Sequence, residues 1–552
     1  ALRTRTTDTW GDTNKLNDVL NNRCGEKGNI AKLQTGKTGR TVISYDMGVN
    51  GAQSVDTLAI ARADLLTSDS VAALIVRACS DSYFAPSDIS GCVAWWDPST
   101  GVTVDANGGV SAWVDRVGGL SASQSTSTAR PLLTRYDNKE NRFRYSEALN
   151  SSPSWANSRS SMSGATMTSG DNTLYFVAED GTAANTHYLY LNTASYGIST
   201  CSGKTYNLTF KVKSSNRNIS VRALSGFAGG YTTFNIQSNS IIETAAEGAN
   251  ATITDLGGGV YQCSVDLTAN ATVTDAWVIF YLYNGNRIYN GDTVSGAYIG
   301  RPQFRISTAD STYVATTSAA AIAGINGNRA AFFDGIDDAL RMDSLASTFS
   351  GTDKANSVFI VVKAQDAAAT SALFAIGSSA SSTQYFRLRY DTSNIRWNVA
   401  DDAALAKNNS SGGTTSTSTV VLSHIDSGTS ANDYKNGTLF GSANYDIDVG
   451  AKTFNVASIG ARFNVATYNN FLSGYIAEVV VYNRALTTGE RQSVEAYLTA
   501  KYSTTPLVAD YAFAGNSGED SKDYVSRFTA SSSSRHYWIE MESTASSKFT
   551  HS

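Results

Sequence analysis

Charge is scarce in this 552-residue chain, and so are the side chains that most often carry chemistry. Lys, Arg, Asp and Glu make up 16% of residues and the formal net charge is −5, so there is no electrostatic case for nucleic acid or an anionic membrane as partner. The four histidines (His187, His424, His536 and His551) are dispersed. The five cysteines (Cys24, Cys79, Cys92, Cys201 and Cys263) contain no C-x-x-C, which argues against a zinc site. Few, scattered and odd in number, they read as buried thiols. Whether Cys201 and Cys263 pair is left open, because spacing alone does not bring two Cα atoms together. No apolar run approaches the length of a membrane span, and Ala1-Leu2-Arg3-Thr4-Arg5 is not the start of an apolar export signal. No G-x-S-x-G nucleophile motif occurs.

What is present is β-forming. Hydrophobic residues at 41% and aromatic residues at 10% suffice to pack sandwiches. The length exceeds what one core supports and implies roughly three or four domains. Apolar runs of strand length, bounded by Gly, Asn, Asp and Ser, occur at Thr41–Gly48, Ser54–Ile60 and Val71–Ala78. Alternation is clearest between 135 and 311. There Tyr206, Leu208, Phe210 and Val212 interleave with Asn207, Thr209, Lys211 and Lys213, and Tyr261, Cys263, Val265 and Leu267 repeat the pattern. Such alternation sends one row of side chains into a core and the other to water. Trp277–Tyr283 is apolar or aromatic on both faces, which predicts a central strand covered on each side. Further on, Val358–Val362 reads as a buried strand and Tyr385–Tyr390 as an alternating one. Thr487 and Glu490 have capping-box spacing ahead of an apolar stripe of Val494, Tyr497, Leu498 and Tyr502, predicting one short helix near 487–502. The predicted fold class is all-β, built from nested β-sandwiches of jelly-roll type.

Three families are resembled. Ala94-Trp95-Trp96-Asp97, Ala112-Trp113-Val114-Asp115-Arg116 and Arg130-Pro131-Leu132-Leu133 break off, and the pattern resumes at Asn326-Gly327-Asn328-Arg329 and Ala330-Ala331-Phe332-Phe333-Asp334-Gly335-Ile336-Asp337-Asp338. With Gly474–Tyr482, Asn483-Arg484-Ala485-Leu486 and the capped helix, these pieces resemble a laminin-G/concanavalin-A-like lectin domain. The resemblance implies a split sandwich of 89–134 plus 312–504. The intervening 135–311 opens with Arg144–Leu149 and Trp155, contains Gly258–Cys263, and closes with Ala297–Gln303 and Tyr313–Thr317. It resembles the carbohydrate-binding-module-like jelly rolls of bacteriophage tail and virion proteins, and is expected to fold on its own. Residues 1–88 with 505–552 resemble a discoidin-like outer sandwich closed by Arg535–Glu542. Insertion of one sandwich into another is tolerated at an exposed loop when the inserted ends lie close together.

Candidate sites follow from residue chemistry. Asp334, Asp337 and Asp338 place three carboxylates within five residues, which invites calcium. The EF-hand spacing is absent, and in the resembled family such a stretch commonly serves as a turn into a strand. Asp446 with Asp448, and Glu540 with Glu542, put two carboxylates on one strand face, but the Glu-x-Asp-x-x-Glu run of concanavalin-like glucanases is missing. They read as solvated faces, and no catalytic residue is assigned. Sugar recognition needs an aromatic platform with amides, carboxylates or Arg beside it. Tyr385, Arg387 and Trp397 in the lectin sheet, and Tyr283, Asn284 and Asn286 at a strand end, meet that description. Trp95, Trp113 and Trp538 sit in strand patterns and are assigned to cores.

The expected function is that of a structural virion protein of a tailed bacteriophage, on tail, fibre or capsid surface, displaying glycan-binding sandwiches for attachment. It is expected not to be an enzyme, and to partner other virion proteins and cell-surface or environmental glycans as a homo-oligomer or array. Calcium is the one candidate cofactor. Assembly into a particle followed by lysis would carry it outside the cell. The alternatives are a secreted bacterial adhesin, a non-catalytic accessory module of a polysaccharide-degrading system, or a spacer without ligand.

Overall fold

The computed structural model describes residues 84–150, 152–169, 172–192, 197–409 and 413–502, plus the backbone of strands within 2–79 and 524–551. It divides into two compact units, residues 90–325 with 329–491 and residues 1–89 with 326–328 and 492–552. The all-β expectation is met: antiparallel sheets dominate, with the helix Thr488–Tyr502 following the last long strand. No helix among the described residues is long and apolar enough to cross a membrane.

The larger unit holds two sandwiches, each with its own core. One sheet of the lectin-like sandwich is eight-stranded and runs through Ala331–Asp334, Ser473–Tyr482, Asn356–Ala364 and Val420–Asp426. Its middle strands Asn356–Ala364 and Ser473–Tyr482 are buried almost throughout, so their β-branched runs read as continuous and not alternating. The facing ten-stranded sheet contains Ala406–Asn408, Asn394–Ala400, Tyr385–Asp391, Ser371–Gly377 and Val456–Ile459. Trp96, Trp113, Phe333, Phe374, Phe386 and Trp397 fill the space between. Trp95 is also buried and donates from Nε1 to Glu478 at 2.6 Å.

The chain leaves this sandwich and returns to it at one point. Leu132–Leu133 pairs with Ala331–Asp334. The Thr134 amide donates to the Ala330 carbonyl at 2.9 Å, and the Ala330 amide donates back to Thr134 Oγ1 at 2.8 Å. Between these residues stands the second sandwich. Its six-stranded sheet centres on Gly296–Ile306 and Thr205–Ser215, and its seven-stranded sheet on Val273–Tyr283. Tyr206, Leu208, Phe210 and Val212 enter its core as the alternation predicts, opposite Phe280 and Leu282. Residues 317–324 run back against 135–145 through Tyr145 N to Thr317 O and Arg135 N to Ile322 O, so this stretch lies with the inserted sandwich. Cys201 and Cys263 are free thiols, and burial raises the Cys263 thiol well above its ordinary range.

In the smaller unit, Gly39–Asp46 and Val71–Cys79 both pair antiparallel with His536–Ser543. The side chains that would identify a discoidin-like module there, Trp538 and Glu540 included, lie outside the described residues. Asn326 and Asn328 donate from their amides to the carbonyls of Tyr502 and Lys501, closing the C-terminus of the helix. At the other end Thr487 and Glu490 form the predicted capping box, and Arg484 grips the Glu490 carboxylate with both terminal nitrogens at 2.6 and 2.9 Å. That grip, with the Thr487 amide, holds Glu490 down at about 2.

Candidate functional site

The inserted sandwich presents an aromatic sheet face. In Val273–Tyr283 the residues Ala276, Val278, Phe280 and Leu282 point into the core, so Ile279, Tyr281 and Tyr283 lie on the opposite face, and Trp277, in the same phase, also packs against the core. Strand register brings matching side chains alongside: Tyr188 stands opposite Tyr281, Tyr190 opposite Ile279, and Arg222 lies between Ile279 and Tyr231. The rings form a continuous strip. Centroids are 5.9 Å apart for Tyr190 and Trp277, 5.6 Å for Tyr188 and Tyr190, 5.0 Å for Tyr188 and Tyr281, and 5.6 Å for Tyr281 and Tyr231. Tyr281 is buried beneath its neighbours, which pushes its phenol up to about 12, burial first and Tyr231 second. Tyr188, Tyr190, Tyr231 and Trp277 keep partly exposed surface.

Polar groups border the strip. Arg222 lies 4.9 Å from the Tyr231 ring, and Arg287, reaching back from the following loop, lies 3.8 Å from it. Arg287 also pairs with Glu243, whose carboxylate accepts from Thr233 Oγ1 at 2.6 Å. Burial works against that carboxylate, but Thr233 and Arg287 outweigh it and hold Glu243 below its ordinary range. Flat rings with hydroxyls, guanidinia and a carboxylate at their edge are the elements that bind the apolar face and the hydroxyls of a sugar ring.

The predicted residues fall out differently. Tyr283 ends this strip, with Arg287 6.0 Å from its ring and its hydroxyl donating to the Gly285 carbonyl at 2.9 Å. Asn286 spends its side-chain carbonyl on the amides of Arg287 and Ile288, so it shapes the loop, while Asn284 is exposed. Trp397 is corrected: it is 1% exposed, with its ring stacked 4.3 Å from His424 and 5.5 Å from Phe386 inside the lectin-like core. Strand parity explains this, since Trp397 stands opposite inward-facing Leu388, whereas Tyr385 and Arg387 point out. His424 meets Asp433 at 2.7 Å, and both are fully buried, beyond the reach of a substrate. Asp446 pairs with Lys407 at 2.5 Å and caps the Asp448 amide at 3.0 Å.

The Asp334, Asp337 and Asp338 carboxylates come within 4.8 Å of one another. Asp334 Oδ1 accepts the Ile336 and Asp337 amides, and Asp338 Oδ2 accepts the Asp334 amide, which is a self-closing turn. Gly335 is required in it, with φ +88° and an added Cβ falling 2.7 Å from Ser473 Cβ. Burial first, then the neighbouring carboxylates, raise Asp334 to about 6 and Asp338 well above its ordinary range. Three carboxylates offer the oxygen donors that suit a hard cation such as calcium, although two of their oxygens already serve the backbone.

The sequence did carry a signal for the aromatic strip. Tyr188-x-Tyr190 and Trp277-x-Ile279-x-Tyr281-x-Tyr283 are outward-phase aromatics, but only the register shows that they meet.

No curated protein matches the chain. Among solved structures, the carbohydrate-binding module (CBM40) of the Ruminococcus gnavus IT-sialidase, bound to α2,3-sialyllactose, is similar with 14% identity. That likeness covers 27% of this chain and 86% of that one, with a TM-score of 0.25. Domain 4 of AbnA, an extracellular GH43 arabinanase from Geobacillus stearothermophilus, in complex with arabinotriose, shows 18% identity over 30% of this chain and 77% of that one, TM-score 0.25. The Streptococcus pneumoniae NanB sialidase shows 19% identity over 33% of this chain and 28% of that one, TM-score 0.25. Likenesses at this level say nothing about activity. Residues 334–490 match the laminin-G-like family described as the concanavalin A-like lectin/glucanases superfamily, and they supply most of a β-sandwich of two facing antiparallel sheets around one core.

Proposed function

We infer that the protein recognises glycans without turning them over, and that the aromatic face of the inserted sandwich is the principal contact surface. The observation that carries this reading is the convergence of Tyr188, Tyr190, Trp277, Tyr281 and Tyr231 across four successive strands of one sheet, bordered by Arg222, Arg287 and Glu243. The lectin-like character of residues 334–490 supports it. The setting we propose is the surface of a tailed-bacteriophage particle, on the resemblance of the inserted sandwich to virion jelly rolls. An accessory module of a polysaccharide-degrading system accommodates the same two sandwiches. Repeated copies on a particle would raise the avidity of shallow single sites.

A glycan array on the full chain tests the reading, compared with a Tyr188→Ala, Tyr190→Ala double variant whose melting is checked. Loss of two stacking rings is expected to weaken binding at least tenfold, about 1.4 kcal/mol. Equal binding by the double variant removes this face as the contact surface. Release of reducing sugar from a bound polysaccharide would overturn the non-catalytic reading. Mass spectrometry of purified particles, set against the secreted fraction of host cultures, separates the two settings.

A further inference from the structure

The outer face of the ten-stranded lectin sheet has a different chemistry from the aromatic strip. Tyr385, Arg387, Arg389 and Asp391 point outward from one strand while Phe386, Leu388 and Tyr390 point inward. Arg389 stands opposite Arg396 on the next strand, and Arg387 opposite Asn398. A fourth guanidinium arrives from elsewhere in the chain. Arg462 begins the hairpin Arg462–Asn464 and Thr467–Asn469, whose Phe463 and Tyr468 rings pack 5.2 Å apart beneath Arg341. The guanidinium carbons of Arg387 and Arg462 lie 4.1 and 5.1 Å from the centre of the same Tyr385 ring.

Four guanidinia therefore share one carboxylate. Asp391 takes both Arg389, at 2.9 Å, and Arg396, at 3.2 Å. Among the described residues no carboxylate lies within ion-pair distance of Arg387 or Arg462. The nearby Asp401 and Asp402 are occupied by the chain itself, through the Leu405 amide and through Thr453. Arg387 Nε is buried without a hydrogen-bond partner, and Arg462 donates to the Ser382 carbonyl. Burial first, then the charges of Arg462 and Arg389, lower Arg387 to about 10. The strand neighbours of Tyr385 are Gly377 and Ala400, and those of Arg387 are Ala375 and Asn398, whose side-chain oxygen is taken by Arg389 Nε at 3.1 Å, so no acidic or long side chain stands beside them. A half-buried, like-charged group with a free donor is costly as it stands, and an anion accepting paired N–H bonds is its natural complement.

We propose that Arg387, Arg389 and Arg462 around Tyr385 form a site for the anionic substituent, carboxylate or sulfate, of an acidic saccharide. This rests on the glycan reading above for the saccharide, and on the arginine geometry alone for the anion. The site is separate from the aromatic strip, so the two are lost independently.

The test is titration calorimetry on the full chain at low salt. The probes are a uronic-acid oligosaccharide, its carboxyl-reduced neutral form, a sulfated oligosaccharide, and inorganic sulfate. The acidic oligosaccharides are expected to bind at least tenfold more tightly than the reduced form, and the advantage should shrink as salt rises. Arg387→Gln with Arg462→Gln should abolish the difference without lowering the melting temperature, because it relieves repulsion. Tyr188→Ala with Tyr190→Ala should leave the difference intact. Equal affinity for acidic and reduced forms, or an undiminished preference in the folded arginine variant, overturns the proposal. Arginine-dependent sulfate binding with no saccharide bound keeps the anion site and fails the glycan reading, and so overturns the saccharide assignment.

Discussion

Glu140 and Arg142 are a charged pair almost fully removed from water, and replacing Arg142 alone should be severe. Glu140 is 0% exposed and Arg142 4% exposed, with Nε donating to Glu140 Oε1 at 2.5 Å. Arg142 also donates to the Ser199 carbonyl at 2.7 Å, and its guanidinium lies 5.1 Å from the Tyr206 ring and 5.2 Å from the Phe332 ring. Tyr206 belongs to the inserted sandwich and Phe332 to the lectin sheet, so the pair sits where the two meet. Glu140 in turn accepts the Ile306 amide at 2.9 Å and the Ala323 amide at 3.3 Å. Arg142→Met keeps much of the apolar stem but strands a buried carboxylate, which costs about 3–5 kcal/mol. For a sandwich of this size that lowers the melting temperature by about 6–20 °C. Adding Glu140→Gln removes the stranded charge and keeps an oxygen for one of the two amides, the shorter Ile306 bond, so the double variant should recover at least half the loss. Calorimetric melting of the wild type, both singles and the double at pH 7 measures the cycle. A cost below about 1 kcal/mol for Arg142→Met, or a double variant no better than the single, would refute the argument from buried charge.

Other outcomes follow from the same structure. Deleting 135–325 leaves Asn326–Arg329 to bridge Thr134 and Ala330, a four-residue hairpin loop between strands already paired. Both the remainder and the excised sandwich should give cooperative β-type melts, and disorder in both pieces would contradict the nested arrangement. Burial raises both Asp334 and Asp338, and for Asp334, raised to about 6, the contribution to stability is complete below about pH 4 and lost as pH rises through about 6. Asp334→Asn should therefore melt higher than wild type at pH 7 and equally at pH 4, and identical profiles would count against the burial. If calcium is held there, millimolar calcium raises the wild-type melting temperature at pH 7 and leaves the variant unmoved. Thr487→Ala removes the helix N-cap and should cost about 1 kcal/mol in chemical denaturation. No measurable change would mean the grip of Arg484 on Glu490 suffices alone.

Period-two alternation, the Thr487–Glu490 spacing and the Trp-rich opening motif were legible in the residues, because each is a local rule of strand parity or helix capping. They yielded an all-β chain, a lectin-like segment and a capped helix. Parity also assigns Trp113 to a core, yet it does not place Trp397, since nothing within its strand states which face is inward. That face is fixed by the register with Tyr385–Asp391, a property of two strands together. The meeting of Tyr188, Trp277 and Tyr231, and of Arg387 with Arg462, depends on pairings between segments tens of residues apart. Local residue order settles which residues alternate, cap and turn. Which outward side chains become neighbours follows from strand register, because backbone hydrogen bonds accept many registers and the packing of two whole cores selects one.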